Sequence, residues 1–479
     1  MNVITLNSPD DLAPYVHAAL RSWYVTESSD RDLLEGLLLV QEQRRDLAGP
    51  AGTSSPTAQR LATNQLLLEG IEELERQDQT GARVLRQRFA DDNTLLAVAH
   101  QLNVSEHSVS RIQRAAIGRL AEILYNREMA AREARAQLIE AQLPPPSYTQ
   151  LFGLGDAEGR LLENLADANG PRVVAVVGIG GIGKTSLADA VARQMARRFL
   201  FEGVIWLRSE PQTMSGRSLA PQFTFESLIT ELAGKLGIEA SGPAEQRLVQ
   251  VRQRLKDRPY LVVIDNLETD AETAYLLDHL NDLAEPSKFL LTTRTRPAAQ
   301  ATVFRFPVGE LPLEEATSLL HHHARDIGVD ALEAAGEEDL QAIYGVVGGN
   351  PLALKLVVSQ LDLLPLSQVV EGLISSRPGP IEDLYQHIYW QSWKILSPEA
   401  RSLLQAMPLV GETGGLPDYL QAISNLPEDR FWPALQELRT RSLLEVRGTI
   451  QEKRYGVHRL TETFLRTEII DWPEEDDEE

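Results

Sequence analysis

Apolar residues follow three successive patterns along this chain. In the first 140 or so residues they recur every three or four positions, around Leu33 to Val40, around Leu66 to Leu74, and at Val109, Ile112, Ala116 and Leu120. That is the spacing of helices burying one face. From Val173 the pattern changes to short unbroken apolar runs separated by helical stretches, with runs starting at Val173 and covering Val204 to Leu207, Leu261 to Ile264, Phe289 to Thr293 and Val303 to Val308. Such alternation predicts a parallel sheet covered by helices on both faces. From Ile388 to Arg466, helical segments mix with short apolar ones.

Composition marks the boundaries. Gly49 to Thr57 is a Gly/Pro/Ser/Thr break, and Pro144 to Ser147 (PPPS) is a stiffer one. Pro473 to Glu479 (PEEDDEE) has no large apolar side chain to bury and reads as a disordered acidic tail. No tetratricopeptide, leucine-rich or propeller period is present. At 479 residues the chain accommodates about three ordinary domains. A net charge of −23 argues against broad attraction to nucleic acid or anionic membrane. The absence of cysteine excludes disulfides and thiolate chemistry. No apolar run reaches the roughly 20 residues that span a bilayer, and the N-terminus lacks a signal-peptide pattern. The expectation is a soluble, cytoplasmic protein with no membrane partner.

Candidate chemistry begins at Val173 to Ala188, VVAVVGIGGIGKTSLA, a strand, a glycine-rich loop and a helix start in that order. Gly178, Gly180, Gly181 and Gly183 let backbone N–H groups curl around a phosphate, with Ile182 and Ser186 in the same turn. Lys184 then reaches the β- and γ-phosphates, and the Thr185 hydroxyl ligates Mg²⁺. Asp265, at the end of the third strand, is the expected second Mg²⁺ ligand; a carboxylate there can equally cap a turn. Arg294 follows the next strand at the carboxyl edge of the sheet, where it is positioned to sense a γ-phosphate, or to pair with a nearby acid.

The ordered series Phe152-Gly153, GIGGIGKT (178–185), FEGVIWLR (201–208), LVVIDNLE (261–268), LLTTRTR (290–296), GGNPLALKL (348–356) and VHRL (457–460) resembles the NB-ARC type of STAND signal-transduction ATPase. The resemblance spans Leu151 to Arg466. It implies a multidomain α/β plus α fold, in which a P-loop NTPase parallel-sheet core is flanked by helical and winged-helix domains. The boundaries it suggests are 1–80 helical, 81–143 helix-turn-helix, 144–309 nucleotide-binding, 310–380 helical, 381–470 winged helix and 471–479 acidic tail. It implies ATP/ADP with Mg²⁺ as cofactors, Phe152 beside the nucleotide, Pro351 against base and sugar, and His458 on the β-phosphate of ADP. Gly-Gly-Asn-Pro is also an ordinary turn with Pro at a first helical position, and both roles are compatible. Asn266 stands where many members carry a second acid, leaving Glu268 as the nearest catalytic carboxylate and slow hydrolysis at most. Arg459 replaces the aspartate that follows the motif histidine, and Leu154 replaces an arginine found after the glycine.

Thr94 to Leu124 carries a second signal, a helix, a turn at Asn103 to Ser105, and a helix capped by Ser105. It resembles the DNA-binding region of sigma factors and related response regulators, with Glu106, His107, Ser110, Arg111 and Arg114 facing DNA. Arg111, Arg114 and Arg119 against Glu106 and Glu122 leave 3 − 2 = +1, little charge for phosphate binding. A helical oligomerisation or partner-docking module on the same scaffold is the alternative. His321, His322 and His323 lie consecutively on a predicted helix, about 100° apart, and do not converge on one metal ion. The expected function is a nucleotide-controlled switch that opens and self-assembles. Its output is transcriptional regulation through DNA, or signalling or defence through a recruited partner. A DNA-loading ATPase of the AAA+ type is a third reading. The sensor is a separate protein, the winged-helix domain or the N-terminal helices.

Overall fold

The computed structural model describes residues 6–24, 33–48, 56–209, 213–214, 217–218, 220–239, 243–267, 269–294, 297, 303–329, 332, 335–361, 364–375, 386, 389–390, 392–410, 414–448 and 452–469. Glu268, the acidic tail and most of the Gly49 to Thr57 break lie outside them. Two compact units are present, Met1–Ala141 with Ala196–Leu200, and Gln142–Met195 with Phe201–Glu479.

The first unit is helical. It comprises α1 (Pro9–Arg21), α2 (Leu38–Ala48), α3 (Pro56–Gln77), α4 (Gln79–Leu85), α5 (Leu95–Leu102) and α6 (Glu106–Glu140). Helix α1 starts with a capping box, in which Asp11 N donates to Ser8 Oγ and Ser8 N donates to Asp11 Oδ2. Leu12, Leu20, Leu34, Leu66, Ile71 and Leu120 are fully buried in its core. Glu128 of α6 is fully buried as well, because its carboxylate accepts from Leu38 N (2.9 Å) and Leu39 N (3.1 Å) at the start of α2 and pairs with Arg132 (2.7 Å). A smaller cluster of Val84, Val98, Ala99 and Val109 holds α4, α5 and the start of α6 together. Asn103 adopts φ 55°, a left-handed helix end that Asn tolerates, and Ser105 Oγ accepts from Ser108 N as the cap of α6. Helix α6 runs 35 residues, well past Leu124. Its extension, rich in Ala, Arg and Glu and free of Gly and Pro, has nothing to stop it.

The second unit is built on five parallel strands, β1 (Val173–Val177), β2 (Gly203–Arg208), β3 (Tyr260–Leu267), β4 (Lys288–Thr293) and β5 (Val303–Pro307), in the order β2-β3-β4-β1-β5. Every expected strand is present. Burial of Val173 to Val176 and of Leu261 to Ile264 explains their unbroken apolar character. Strand β3 continues past Asp265 through a register shift between Ile264 and Leu267. Asn266, at φ 72°, makes that kink. Helix α7 (Gly155–Ala166) precedes β1 and α8 (Lys184–Arg198) follows it; α9 (Pro221–Lys235), α10 (Ala244–Asp257) and α11 (Asp270–Leu280) complete this layer.

Helices α12 (Leu313–Ile327), α13 (Glu337–Val347), α14 (Pro351–Leu361) and α15 (Leu366–Ser375) come next. They are followed by α16 (Pro398–Ala406), α17 (Pro417–Ser424), α18 (Glu428–Thr440), a hairpin of β6 (Glu445–Gly448) and β7 (Lys453–Gly456), and α19 (Arg459–Phe464). One continuous apolar cluster joins these elements from Leu311 to Leu465. At the turn before α14, a Cβ on Gly349 would lie 2.1 Å from the Leu311 carbonyl, so the two backbones cross with no room for a side chain. No helix among the described residues is long and apolar enough to cross a membrane.

Candidate functional site

After β1 the chain turns through Gly178 to Gly183 into α8. Gly181 (φ 73°) and Gly183 (φ 97°) hold conformations that other residues resist. A Cβ on Gly181 would also meet Leu352 Cβ at 2.8 Å. Ile182 is buried beneath the loop. Lys184 leads α8, and its Nζ donates to the carbonyls of Gly178 and Ile179, each at 2.8 Å, folding the ammonium into the loop.

Beside the loop, Asp265 Oδ1 accepts from Thr185 Oγ1 (2.9 Å) and Thr292 Oγ1 (2.5 Å), and Thr292 Oγ1 in turn accepts from Asn266 N (2.8 Å). The two residues expected to hold Mg²⁺ are therefore neighbours, presenting hard oxygen donors at one corner of the sheet edge. That fits an ion taking its remaining oxygens from phosphate and water. Asn266, the position of the missing acid, serves the backbone instead. Its positive φ turns β3, and its side-chain amide donates to Ser209 O (3.3 Å).

Asn350 is the residue that sequence reasoning passes over. Fully buried, it donates from Nδ2 to the Gly180 carbonyl (2.9 Å) while its Oδ1 accepts from Leu352 N (3.1 Å) and Ala353 N (3.3 Å). One side chain thus caps α14 and ties it to the phosphate loop. Its signal is legible in hindsight, an Asn directly before Pro at a helix start.

Most of these groups line one cavity of about 640 Å³, a volume suited to a ligand of nucleotide size, while Gly178, Ile182 and Asn350 are not among its lining residues. Phe152, Gly180, Gly181, Gly183, Lys184, Thr185, Ser186, Asp265, Arg294, Pro351 and His458 all line it, so residues scattered over three hundred positions converge. Arg294 is exposed at the end of β4. The lining contains Lys184, Arg208, Arg294, Lys355, Arg439 and Lys453 against Asp265, Asp326 and Glu445, six cations to three acids. In a chain of net charge −23 that local excess favours a polyanion. Phe152, Leu319, Ile327, Pro351 and Leu352 give the cavity an apolar side.

Two of the three consecutive histidines also face this cavity. His322 packs edge-on to Phe152, with ring centroids 5.3 Å apart, and its Nδ1 lies 3.3 Å from Asp326. His323 Nε2 meets Ser442 Oγ at 2.5 Å. Burial, then Lys355 and His322, push His323 down to about 3, so it is neutral near pH 7. Burial also lowers Lys355, against the pull of Glu445 and Asp326. Sequence spacing could not show this environment, because it depends on α14 and the turn after α18 meeting α12. The Arg459 side chain lies outside the described residues.

In the helical unit, Glu106, His107, Ser110, Arg111 and Arg114 are all exposed on the first turns of α6, while Val109 and Ala116 point inward.

The sheet order, the loop and the Thr185–Asp265 pair together define a P-loop nucleotide-binding protein. Residues 156–325 match the NB-ARC domain family, so the chain carries a domain of that family. An uncharacterised WD-repeat-containing protein of Nostoc sp. is 27% identical over 298 residues, which are 57% of this chain and 23% of that one. Regulatory protein AfsR of Streptomyces griseus is 30% identical over 233 residues, 46% of this chain and 22% of its own. The chain thus spans less than a quarter of the length of these relatives. Among solved structures, a STAND protein with a tetratricopeptide-repeat sensor from Pyrococcus horikoshii matches with a TM-score of 0.44 and 20% identity, covering 68% of this chain and 43% of that one.

Proposed function

We propose that this protein is an ATP/ADP-dependent switch in signal transduction or transcriptional regulation, in which Thr185 and Asp265 are the residues that would hold Mg²⁺. The observation that carries the reading is a single cavity lined by the phosphate loop, by Pro351 at the head of α14 and by His458 after the β6–β7 hairpin. Pro351 packs against base and sugar, His458 contacts the β-phosphate of ADP, and Arg294 reads the γ-phosphate. Mg²⁺ screens the charge of the phosphate oxygens when bound. Exchange of ADP for ATP removes the His458 contact, frees the domain carrying it, and exposes a surface for self-assembly. Helices α16 to α18 with the β6–β7 hairpin have the element order of a winged helix, and Gly415 adds a further rung by exchanging two 2.9 Å backbone hydrogen bonds with Tyr455. The regulatory relative of 30% identity supports an output of this kind.

The test is to purify the full chain without added nucleotide, denature it and chromatograph what is released. Stoichiometric ADP from the wild type and none from Lys184→Ala is the expected result. An empty wild-type chain that also takes up no added ADP or ATP would sink the switch.

A second reading concerns output. The five exposed polar side chains at the start of α6 favour duplex DNA as a partner, entered through the major groove. Recruitment of a partner protein by the same helices is the competing output.

A further inference from the structure

Residues 144–152 have no helix or strand of their own, yet Pro146, Ser147, Tyr148, Thr149, Gln150 and Phe152 form one wall of the cavity. Side chains hold that wall. Tyr148 Oη donates to Asp189 Oδ2 (2.8 Å). Arg193 donates to both oxygens of the same carboxylate, Nε to Oδ2 at 2.8 Å and an Nη to Oδ1 at 2.9 Å, and reaches on to the Pro144 carbonyl. Asp189 is only 6% exposed, so its charge is balanced inside this clasp and nowhere in solvent. Burial and the Asp189 charge both raise Tyr148 above the ordinary tyrosine value, which keeps its hydroxyl a donor.

Thr185, Asp189 and Arg193 recur at i, i+4 and i+8 along α8. One face of a single rigid helix therefore carries both the phosphate-side hydroxyl and the anchor of the opposite wall. The PPPS stretch, by composition a bare linker, is seated on the helix that begins at the phosphate loop.

We infer that Tyr148, Asp189 and Arg193 are positioning residues that hold the 144–152 wall against the base-and-sugar side of the bound nucleotide and set how long that nucleotide stays. The inference rests on the proposed nucleotide site. In it, the phosphate loop supplies contacts common to every polyphosphate, and the clasp supplies retention that only a whole nucleotide feels.

The experiment uses the full chain and a fluorescent N-methylanthraniloyl-ADP, with release followed by stopped flow against excess ADP and, separately, displacement by inorganic pyrophosphate. Tyr148→Phe keeps the ring and removes one charge-assisted hydrogen bond, so release should quicken about tenfold while the pyrophosphate affinity stays within twofold. Asp189→Asn should quicken it further. Arg193→Lys, which retains the charge beside Asp189 but loses the paired bonds and the reach to the Pro144 carbonyl, should release at a rate between those of wild type and Asp189→Asn. Thermal unfolding of each variant checks that the fold survives. Wild-type release rates in both Tyr148→Phe and Asp189→Asn would overturn the inference, as would a parallel loss of pyrophosphate, which would mean that the clasp merely keeps α8 in shape. A wild-type chain that binds pyrophosphate but not the fluorescent nucleotide would instead overturn the nucleotide reading on which the inference stands.

Discussion

Asn350 concentrates several roles in one amide. Replacing it with alanine removes the cap of α14 and leaves the Gly180 carbonyl without this donor, a combined cost of about 2–4 kcal/mol. Asn350→Ala should therefore melt earlier than wild type and lose nucleotide faster; an unchanged melting temperature would show that Leu352 N→Gly181 O, at 3.4 Å, suffices to hold the two segments. His323 makes a different prediction. Its value in the folded protein, about 3, lies below the reference 6.5, so the unfolded chain binds the extra proton first as pH falls. The stability this residue contributes is complete above pH 6.5 and is lost progressively toward pH 3, at no more than about 1.4 kcal/mol per pH unit. Melting temperatures measured on both sides of pH 6.5 should fall less steeply on acidification in His323→Gln than in wild type. Equal slopes would mean that His323 is solvated.

At the scale of elements, Glu128 is the joint between α2 and α6. Glu128→Ala removes the acceptor of two amide N–H groups and the carboxylate paired with a largely buried Arg132, and breaking such a pair typically costs about 3–5 kcal/mol. Urea denaturation of the variant should show a clearly lower midpoint, with Glu128→Gln in between; identical midpoints would mean that water replaces the carboxylate. This joint is hidden in the sequence because Glu128 sits among alternating charges that read as a solvated helix face. The strands are visible there, since Val173 to Val177 and Leu261 to Ile264 are unbroken apolar runs. So is the Asn103 to Ser105 turn, whose αL residue and cap carry local signals. The length of α6 and the kink of β3 are less so. The first follows from an absence of breakers, and the second from one Asn whose φ only the folded sheet fixes.

For the whole molecule, charge sets the terms of any encounter with DNA. A chain of net charge −23 is repelled by a duplex except where its cations face it, so binding through α6 should be weak and steep in salt. Binding of the wild type to a mixed-sequence duplex should weaken sharply as salt is added, and Arg111→Ala with Arg114→Ala should reduce the log–log slope by about 2. Equal binding and slope in the two proteins would exclude α6 as a DNA reader and favour the protein-partner output. The cavity residues show why a site can be legible while its walls are not. Motifs name the groups of the phosphate loop and the sheet edge, whereas Tyr148, Asp189 and His323 belong to no quoted motif and acquire their environment only when distant segments pack.

The turn of β3 at Asn266 bears on how such a protein diverges. Aspartate tolerates a left-handed backbone much as asparagine does, and the codons of the two differ by one base. A second carboxylate beside Asp265 therefore lies a single mutation away, with no rebuilding of the strand. What opposes the step is the loss of the amide's bond to the Ser209 carbonyl, together with the repulsion a second carboxylate would feel from that carbonyl and from buried Asp265. In evolutionary terms, the number of acids at this edge can change by one substitution while the turn of the strand stays as it is.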